Sequence, residues 1–138
     1  MGKYKVMFLC TGNSCRSQMA EGLAKHLSQG NLEVYSAGVE AHGVNPLAIE
    51  VMQEIGVDIS NQKSELVNPN LVATMDYVIT LCGDAQERCP VIPGQVKVLH
   101  WPFPDPAKLE GNSTEIRAAF RSVRDAIASK ITDFLHAN

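Results

Sequence analysis

A cysteine and an arginine with five residues between them, Cys10 and Arg16, stand near the start of the chain. A short apolar segment gives way there, through a turn with one glycine, to a helical pattern that begins at about Cys15. Unpartnered N–H groups and the dipole at a helix start both favour an anion. They also stabilise a thiolate at Cys10, and the guanidinium of Arg16 matches a tetrahedral oxyanion. The pattern predicts a nucleophilic cysteine in a phosphate-like oxyanion site, with the Ser17 hydroxyl able to donate to the sulfur.

Each of the two cysteines in this loop has an alternative interpretation. A lone cysteine after an apolar strand is more often a small buried hydrophobic residue, and it is the spacing to Arg16 that favours a nucleophile at Cys10. For Cys15, a position at a helix start could lower the pKa of the thiol. Its side chain can also point away from the anion, and we interpret it as a spare residue.

A candidate general acid is Asp105, which has a proline on each side. Flanking prolines reduce the freedom that a loop loses on ordering, so the carboxyl can be held at a fixed distance from Cys10. A carboxyl there can protonate the oxygen that leaves when the thiolate attacks. The alternative is a plain Asx turn, which is common for an aspartate before a proline.

Cys82 and Cys89 have six residues between them. Zinc sites use closer cysteine pairs with further ligands in register, and the four histidines of this chain are scattered singly. The polar linker between the two cysteines predicts a surface segment with reachable thiols, and two inert buried thiols are the alternative. On one regular helix the two Cα atoms would be about 10 Å apart, whereas a disulfide needs roughly 4.4–6.8 Å. A bond between them therefore requires a looped or unwound segment, and we hypothesise a redox-driven rearrangement there.

Short apolar segments alternate with helical patterns along the chain. Alternation of this kind predicts an α/β fold, a single three-layer domain with a four-stranded parallel sheet flanked by helices. In such a sheet the ligand site lies beyond the carboxyl ends of the strands, which would group residues 10–17, 36–38, 82–89 and 101–106 on one rim. The second helix should bury Leu47, Val51, Met52 and Ile55. The predicted strands are 5–9, 33–37, 77–81 and 96–100, and the predicted helices are 15–28, 45–56, a short turn from 68, and 112–135.

Length and composition set the broad class. The chain of 138 residues, 45% hydrophobic and 20% charged, is typical of one soluble domain, residues 1–138. A net charge of −3 without a basic run disfavours nucleic acid as a partner. The start of the chain does not resemble a signal peptide, and no apolar run approaches the roughly 18 residues of a membrane span. We expect a cytoplasmic monomer whose four cysteines serve catalysis or redox chemistry.

Together the loop 10–17, the segment Ser36-Ala37-Gly38, the pair Asp105-Pro106 and the two later cysteines resemble one known family. They are similar to the thioredoxin-coupled arsenate reductases, which have the low-molecular-weight tyrosine phosphatase fold. The resemblance spans essentially the whole chain. The loop alone is shared with true phosphatases, so the two later cysteines carry the specificity. The resemblance implies that arsenate is bound by Thr11, Gly12, Asn13, Ser14, Cys15, Arg16 and Ser17.

The resemblance also implies a mechanism for detoxifying arsenic. Cys10 attacks arsenic while Arg16 holds the oxyanion and Asp105 protonates the departing hydroxyl. Cys82 then attacks Cys10, which releases arsenite and leaves a disulfide between these two residues. Cys89 attacks Cys82 and frees Cys10, and thioredoxin reduces the final disulfide. The steps between cysteines are thiol–disulfide exchanges, each needing a thiolate and an accessible sulfur.

One position departs from the family pattern. Some members bind potassium near the loop through residues equivalent to Asn13, Glu21, Ser36 and an aspartate, and this chain has Glu65 where the aspartate is expected. The longer side chain could still reach the ion or could fill its site. The resemblance implies no tightly bound cofactor, and the residues leave open whether potassium binds.

Two rival functions remain open from the residues. A tyrosine phosphatase would need only Cys10, Arg16 and Asp105. Phosphatases of this fold usually place aromatic residues after the Asp-Pro pair, and here residues 107–109 offer a ring little to stack on, so weak phosphatase activity is the most we expect. A non-catalytic oxyanion-binding or redox-sensing protein would use the cysteines as a switch, and Asp105 would then be dispensable.

Overall fold

The computed structural model describes residues 3–82 and 96–137. The described elements alternate as the sequence predicts, and a short 3-10 helix, Pro106–Lys108, precedes the last helix. The strands are β1 (Tyr4–Cys10), β2 (Leu32–Gly38), β3 (Tyr77–Thr80) and β4 (Lys97–His100). The helices are α1 (Arg16–Ser28), α2 (Pro46–Gln53), α3 (Pro69–Val72) and α4 (Ser113–Ala137).

The four strands form one parallel sheet in the order β2-β1-β3-β4, which confirms the predicted α/β class. Strand β1 lies inside the sheet, paired on one edge with β2 and on the other with β3. Its last five residues, from Val6 to Cys10, are all buried. A strand covered on both faces needs apolar side chains at every position, which explains the unbroken apolar run.

The two faces of the sheet carry separate cores. Alternate side chains of β1 point to opposite faces, so Val6 and Phe8 join one cluster and Met7 and Leu9 the other. The larger cluster lies under the packed helices α1, α2 and α4. The smaller cluster includes Val72 of α3. The sheet between two covering layers is the three-layer arrangement that the sequence predicts.

The prediction that Ile55 is buried on the apolar face of the second helix is wrong. Helix α2 stops at Gln53, and Ile55, expected in the core, is 41% exposed. The N–H group of Val57 donates to the carbonyl of Met52, and Gly56 has a positive φ of 79°. This left-handed glycine ends the helix, and Val57 takes the buried place instead.

Among the helices of residues 3–82 and 96–137, none combines the length and apolar character that crossing a membrane requires.

Candidate active site

Cys10 ends the central strand, opposite Gly38 of β2, and is 2% exposed. Its Sγ lies 2.8 Å from the hydroxyl of Ser17. The side-chain amide of Asn13 donates to the same hydroxyl oxygen at 2.7 Å. Since that oxygen already accepts a hydrogen bond, its own hydrogen is available to donate to the sulfur.

The loop of residues 10–17, which we call the oxyanion loop, has its carbonyl groups turned outward. The carbonyls of Thr11, Gly12 and Ser14 accept hydrogen bonds of 2.9–3.0 Å from the N–H groups of residues 40, 42 and 45. The carbonyl of Asn13 accepts from the side chain of Gln18 at 3.1 Å. In a trans peptide the N–H group points opposite to the carbonyl. The N–H groups of residues 12–15 are therefore directed to the other side of the loop, which can bind an anion.

Two close approaches fix this loop. A Cβ atom at Gly38 would lie 2.6 Å from the carbonyl oxygen of Glu40 and 2.8 Å from backbone atoms of the loop. Asn13 has a positive φ of 46°, and its side-chain oxygen accepts from the N–H group of Glu65 at 2.7 Å. Asparagine tolerates this left-handed conformation better than most residues. The sequence predicts Gly38 on the rim but not its contact with the loop.

Arg16 opens α1 and is 2% exposed. One guanidinium nitrogen donates to the carbonyls of Leu81, at 3.3 Å, and Phe103, at 3.0 Å. The other terminal nitrogen lies 3.6 Å from a carboxylate oxygen of Asp105. Arg16 thus connects the oxyanion loop with the segments that follow β3 and β4.

Asp105 forms the Asx turn that the sequence leaves open as its structural role. One carboxylate oxygen accepts from the N–H group of Ala107 at 3.0 Å and caps the 3-10 helix, as an Asx turn does. The other oxygen faces Arg16. The turn holds the carboxyl in place beside the oxyanion loop, which is the position that a general acid would need.

A cavity of about 210 Å³ opens between the oxyanion loop and the acid segment. Asn13 and Ser17 are fully buried and do not line it, so they act from behind the loop. His42 and Lys108, which no sequence motif singles out, do line it. Lys108 lies close to Asp105-Pro106 in the sequence, whereas His42 carries no sequence signal. The lining residues are Cys10, Thr11, Gly12, Ser14, Cys15, Arg16, His42, Asp105, Ala107 and Lys108.

Cys15 is a free thiol that is 4% exposed. Burial raises its pKa from the ordinary value of 9.0 to about 12, and the charge of Asp105 contributes in the same direction. The expectation of a lowered pKa is therefore wrong, because the loss of solvent outweighs the neighbouring Arg16. A neutral thiol at this position agrees with its interpretation as a spare residue.

Cys82 follows β3 directly and is 4% exposed, so the prediction of a reachable thiol is wrong for this residue. The N–H group of Leu81 donates to the carbonyl of Leu9 at 2.8 Å, which continues the pairing of the sheet beyond β3 and places Cys82 beside the end of β1. Cys82 belongs to a disulfide, whereas Cys10 and Cys15 are free. Cys89 and the hypothesised rearrangement lie outside the described residues.

The residues predicted to hold potassium lie close together but have other partners. Glu21, Ser36 and Glu65 line one cavity. One carboxylate oxygen of Glu21 accepts from the Ser36 hydroxyl at 2.5 Å, and the other lies 2.5 Å from the ammonium of Lys25. The ammonium already neutralises the carboxylate, so this arrangement does not fit an additional cation. In the described part of the chain, no group of three or more His, Cys, Asp or Glu residues could hold a metal ion.

Comparisons with known proteins agree with this geometry. Residues 5–137 match the family model of the low molecular weight phosphotyrosine protein phosphatases. An arsenate reductase of Shouchella clausii is 54% identical over 134 residues, which are 97% of this chain and 96% of that protein. The solved structure of an arsenate reductase in the phosphate binding state is 36% identical, with a TM-score of 0.78, over 97% of this chain and 98% of that one. A thioredoxin-dependent arsenate reductase of Corynebacterium glutamicum is 30% identical, with a TM-score of 0.72, over 99% of this chain and 64% of that one.

Proposed function

Since the chain belongs to the low molecular weight phosphotyrosine protein phosphatase family, and within it to the arsenate reductases, we propose that it reduces arsenate to arsenite. The observation that carries the proposal is the placement of Cys82 beside the strand that ends in Cys10. A phosphatase needs one cysteine at this rim, whereas a reductase needs a second sulfur near the first. The disulfide of Cys82 supports a redox role for that second sulfur.

The first step is attack on arsenic by the Cys10 thiolate. A sulfur–arsenic bond forms, and an arsenic–oxygen bond breaks. Asp105 gives its proton to the departing hydroxyl, which leaves as water. The N–H groups of residues 12–15 and the guanidinium of Arg16 stabilise the negative oxygens. Ser17 and Asn13 support the nucleophile from behind the loop.

The second step reduces arsenic. The Cys82 thiolate attacks the sulfur of Cys10, and the electron pair of the sulfur–arsenic bond passes to arsenic, which is released as arsenite. Cys89 then attacks Cys82 and returns Cys10 to a thiolate. A free Cys10 with an oxidised Cys82 supports this sequence, because the relay leaves that combination before an external reductant acts.

Thioredoxin is the reductant that we propose, in line with the thioredoxin-dependent relative. A thioredoxin-coupled reaction requires a reducing compartment. We accordingly propose that residues 1–138 act as a single cytoplasmic domain, as a monomer, in arsenic detoxification.

The relay is tested by counting arsenite released per protein. The wild type with thioredoxin, thioredoxin reductase and NADPH should turn over continuously. The Cys89→Ala variant, reduced beforehand, should release about one arsenite per molecule and then stop, since Cys10 stays bonded to Cys82. The Cys82→Ala variant should release none. Continuous turnover by Cys89→Ala would contradict the three-cysteine relay.

Weak phosphatase activity is the second candidate, since Cys10, Arg16 and Asp105 suffice for it. Ala107 and Lys108 line the cavity where a phosphotyrosine ring would need aromatic contacts. Efficient hydrolysis of p-nitrophenyl phosphate without arsenate turnover would favour the phosphatase. Binding of oxyanions with neither reaction would favour the redox-sensing alternative.

A further inference from the structure

The cavity at Cys10 has basic side chains at two places besides Arg16. His42 comes from the segment that binds the outside of the oxyanion loop, and Lys108 ends the 3-10 helix that Asp105 caps. Neither residue belongs to the loop of residues 10–17. Because both line the cavity, each could act on a bound oxyanion.

The charged groups of Cys10 and Arg16 do not neutralise the negative charge of a bound oxyanion. Arg16 contributes one positive charge, and the thiolate of Cys10 offsets it with a negative one. Asp105, 3.6 Å from Arg16, contributes no positive charge to the cavity. A phosphate-like oxyanion carries between one and two further negative charges near neutral pH. Backbone N–H groups supply only partial charges, so a second full cation would favour binding.

His42 does not supply that cation independently. Its Nε2 lies 2.6 Å from a carboxylate oxygen of Glu40, so any positive charge on the ring is offset by its neighbour. The ring also packs on the loop, since a Cβ atom at Gly12 would lie 2.6 Å from its Nδ1. These contacts make His42 a positioning residue for the loop.

Lys108 differs in that no carboxylate of the described residues lies within ion-pair distance of its ammonium. The N–H group of Lys108 donates to the carbonyl of Asp105 at 3.2 Å. The residue is therefore attached to the same turn as the acid, and its side chain is exposed where the cavity meets solvent.

We propose that Lys108 is a substrate-binding residue whose ammonium recruits the doubly charged form of the oxyanion to Cys10. The proposal rests on the proposed function of this site and adds a charged contact outside the oxyanion loop. Lys108 acts on binding and not on the chemical steps, because it touches neither the nucleophile nor the acid's proton. An ammonium on a flexible stem attracts a dianion without demanding one geometry.

Lys108 also borders a neighbouring groove that is lined by Pro104, Leu109 and Val123. An ammonium that stays at that groove would leave oxyanion binding unchanged. The experiment must therefore measure oxyanion affinity directly, in addition to turnover.

The test compares Lys108→Ala, Lys108→Arg and Lys108→Glu with the wild type. We expect Lys108→Ala to raise the KM for arsenate about fivefold, the size of one charge contact near the surface, with kcat unchanged. Lys108→Arg should retain the wild-type KM because it keeps the charge, and Lys108→Glu should raise KM further. The effect should shrink at high salt. The matched control is Lys3→Ala, an exposed lysine before β1, at the end of the strand opposite Cys10.

Inorganic phosphate separates this proposal from the proposed function. Its Kd, measured by calorimetry, should also rise about fivefold in Lys108→Ala, and this result needs no arsenate turnover. An unchanged Kd and KM in Lys108→Ala would overturn the proposal, as would a fall in kcat with unchanged Kd. A wild type that binds phosphate through Lys108 but does not reduce arsenate would refute only the reductase function.

Discussion

Ser17 contacts the proposed nucleophile, Cys10, and Asn13 contacts Ser17, on the side of the loop away from the cavity. Both are fully buried behind the oxyanion loop, and the Ser17 hydroxyl connects the Asn13 amide with the sulfur of Cys10. The sequence predicts both residues in the site because they belong to the Cys10–Ser17 motif. It could not predict on which side of the loop they lie, since that depends on the left-handed conformation of Asn13.

The Ser17→Ala variant tests this support. Removing a hydrogen bond to a charged group costs about 1.5–3 kcal/mol, so we expect at least a tenfold slower alkylation of Cys10 by iodoacetamide at neutral pH. The measurement is the rate of Cys10 modification by mass spectrometry. Ser122→Ala, on α4, serves as the control. An alkylation rate equal to that of the wild type would show that the hydroxyl does not stabilise the thiolate.

Cys15 should make stability depend on alkaline pH. Its pKa is about 12 in the folded chain and about 9.0 when the thiol is solvated, so the unfolded state loses its proton first. The folded state then binds more protons between these values, and stability falls as pH rises. From pH 9 to 10 the wild type should lose about 1 kcal/mol more than Cys15→Ala in urea unfolding. Equal losses in the two proteins would contradict the raised pKa.

At the scale of elements, the segment between β2 and α2 shapes the oxyanion loop. Three of its N–H groups hold the loop's carbonyls outward, and Gly38 lets the two backbones approach closely. These contacts are between backbone atoms far apart in sequence. No side-chain pattern encodes them, which is why the sequence predicts an anion site but not how its N–H groups are oriented.

Gly38→Ala should separate loop geometry from overall stability. The added Cβ would meet backbone atoms at 2.6–2.8 Å, so the loop must shift and phosphate affinity should fall at least tenfold. Gly22→Ala is the matched control, because its Cβ would meet the Ile59 side chain at 2.5 Å, away from the loop. Both variants should have a lower Tm, and only Gly38→Ala should bind phosphate weakly by calorimetry. Equal phosphate affinity in the two variants would argue against the role of Gly38.

Glu21 of α1 lies between the ammonium of Lys25, on the same helix, and the hydroxyl of Ser36, on β2. Because Lys25 already neutralises Glu21, arsenate turnover should be the same in potassium and sodium chloride of equal ionic strength. In Lys25→Met the carboxylate loses its cation, and potassium should then raise Tm more than sodium does. Lys63→Met, which alters the same cavity, is the control. A potassium-dependent wild type would show that the ion displaces the Lys25 ammonium.

At the scale of the whole molecule, the number, type and parallel direction of the main elements follow from the sequence. Runs such as Val6 to Cys10 are apolar at every position because both faces of the sheet are covered. Strand order and the burial of Cys82 do not follow, since they depend on pairing between strands distant in sequence. The position of Lys108 does not follow from the sequence either, because a single lysine in a loop is usually just a solvated surface residue. Only the folded chain shows that it lines the cavity.

The position of Cys10 at the end of the central strand limits how far its backbone can move. Cys10 is paired with Gly38 on one edge, and the chain beyond β3 is bonded to Leu9 on the other. Moving the backbone of Cys10 would unpair the middle of the sheet, so its position is fixed. In the proposed relay, any displacement needed to join the two sulfurs therefore falls on Cys82 and not on Cys10.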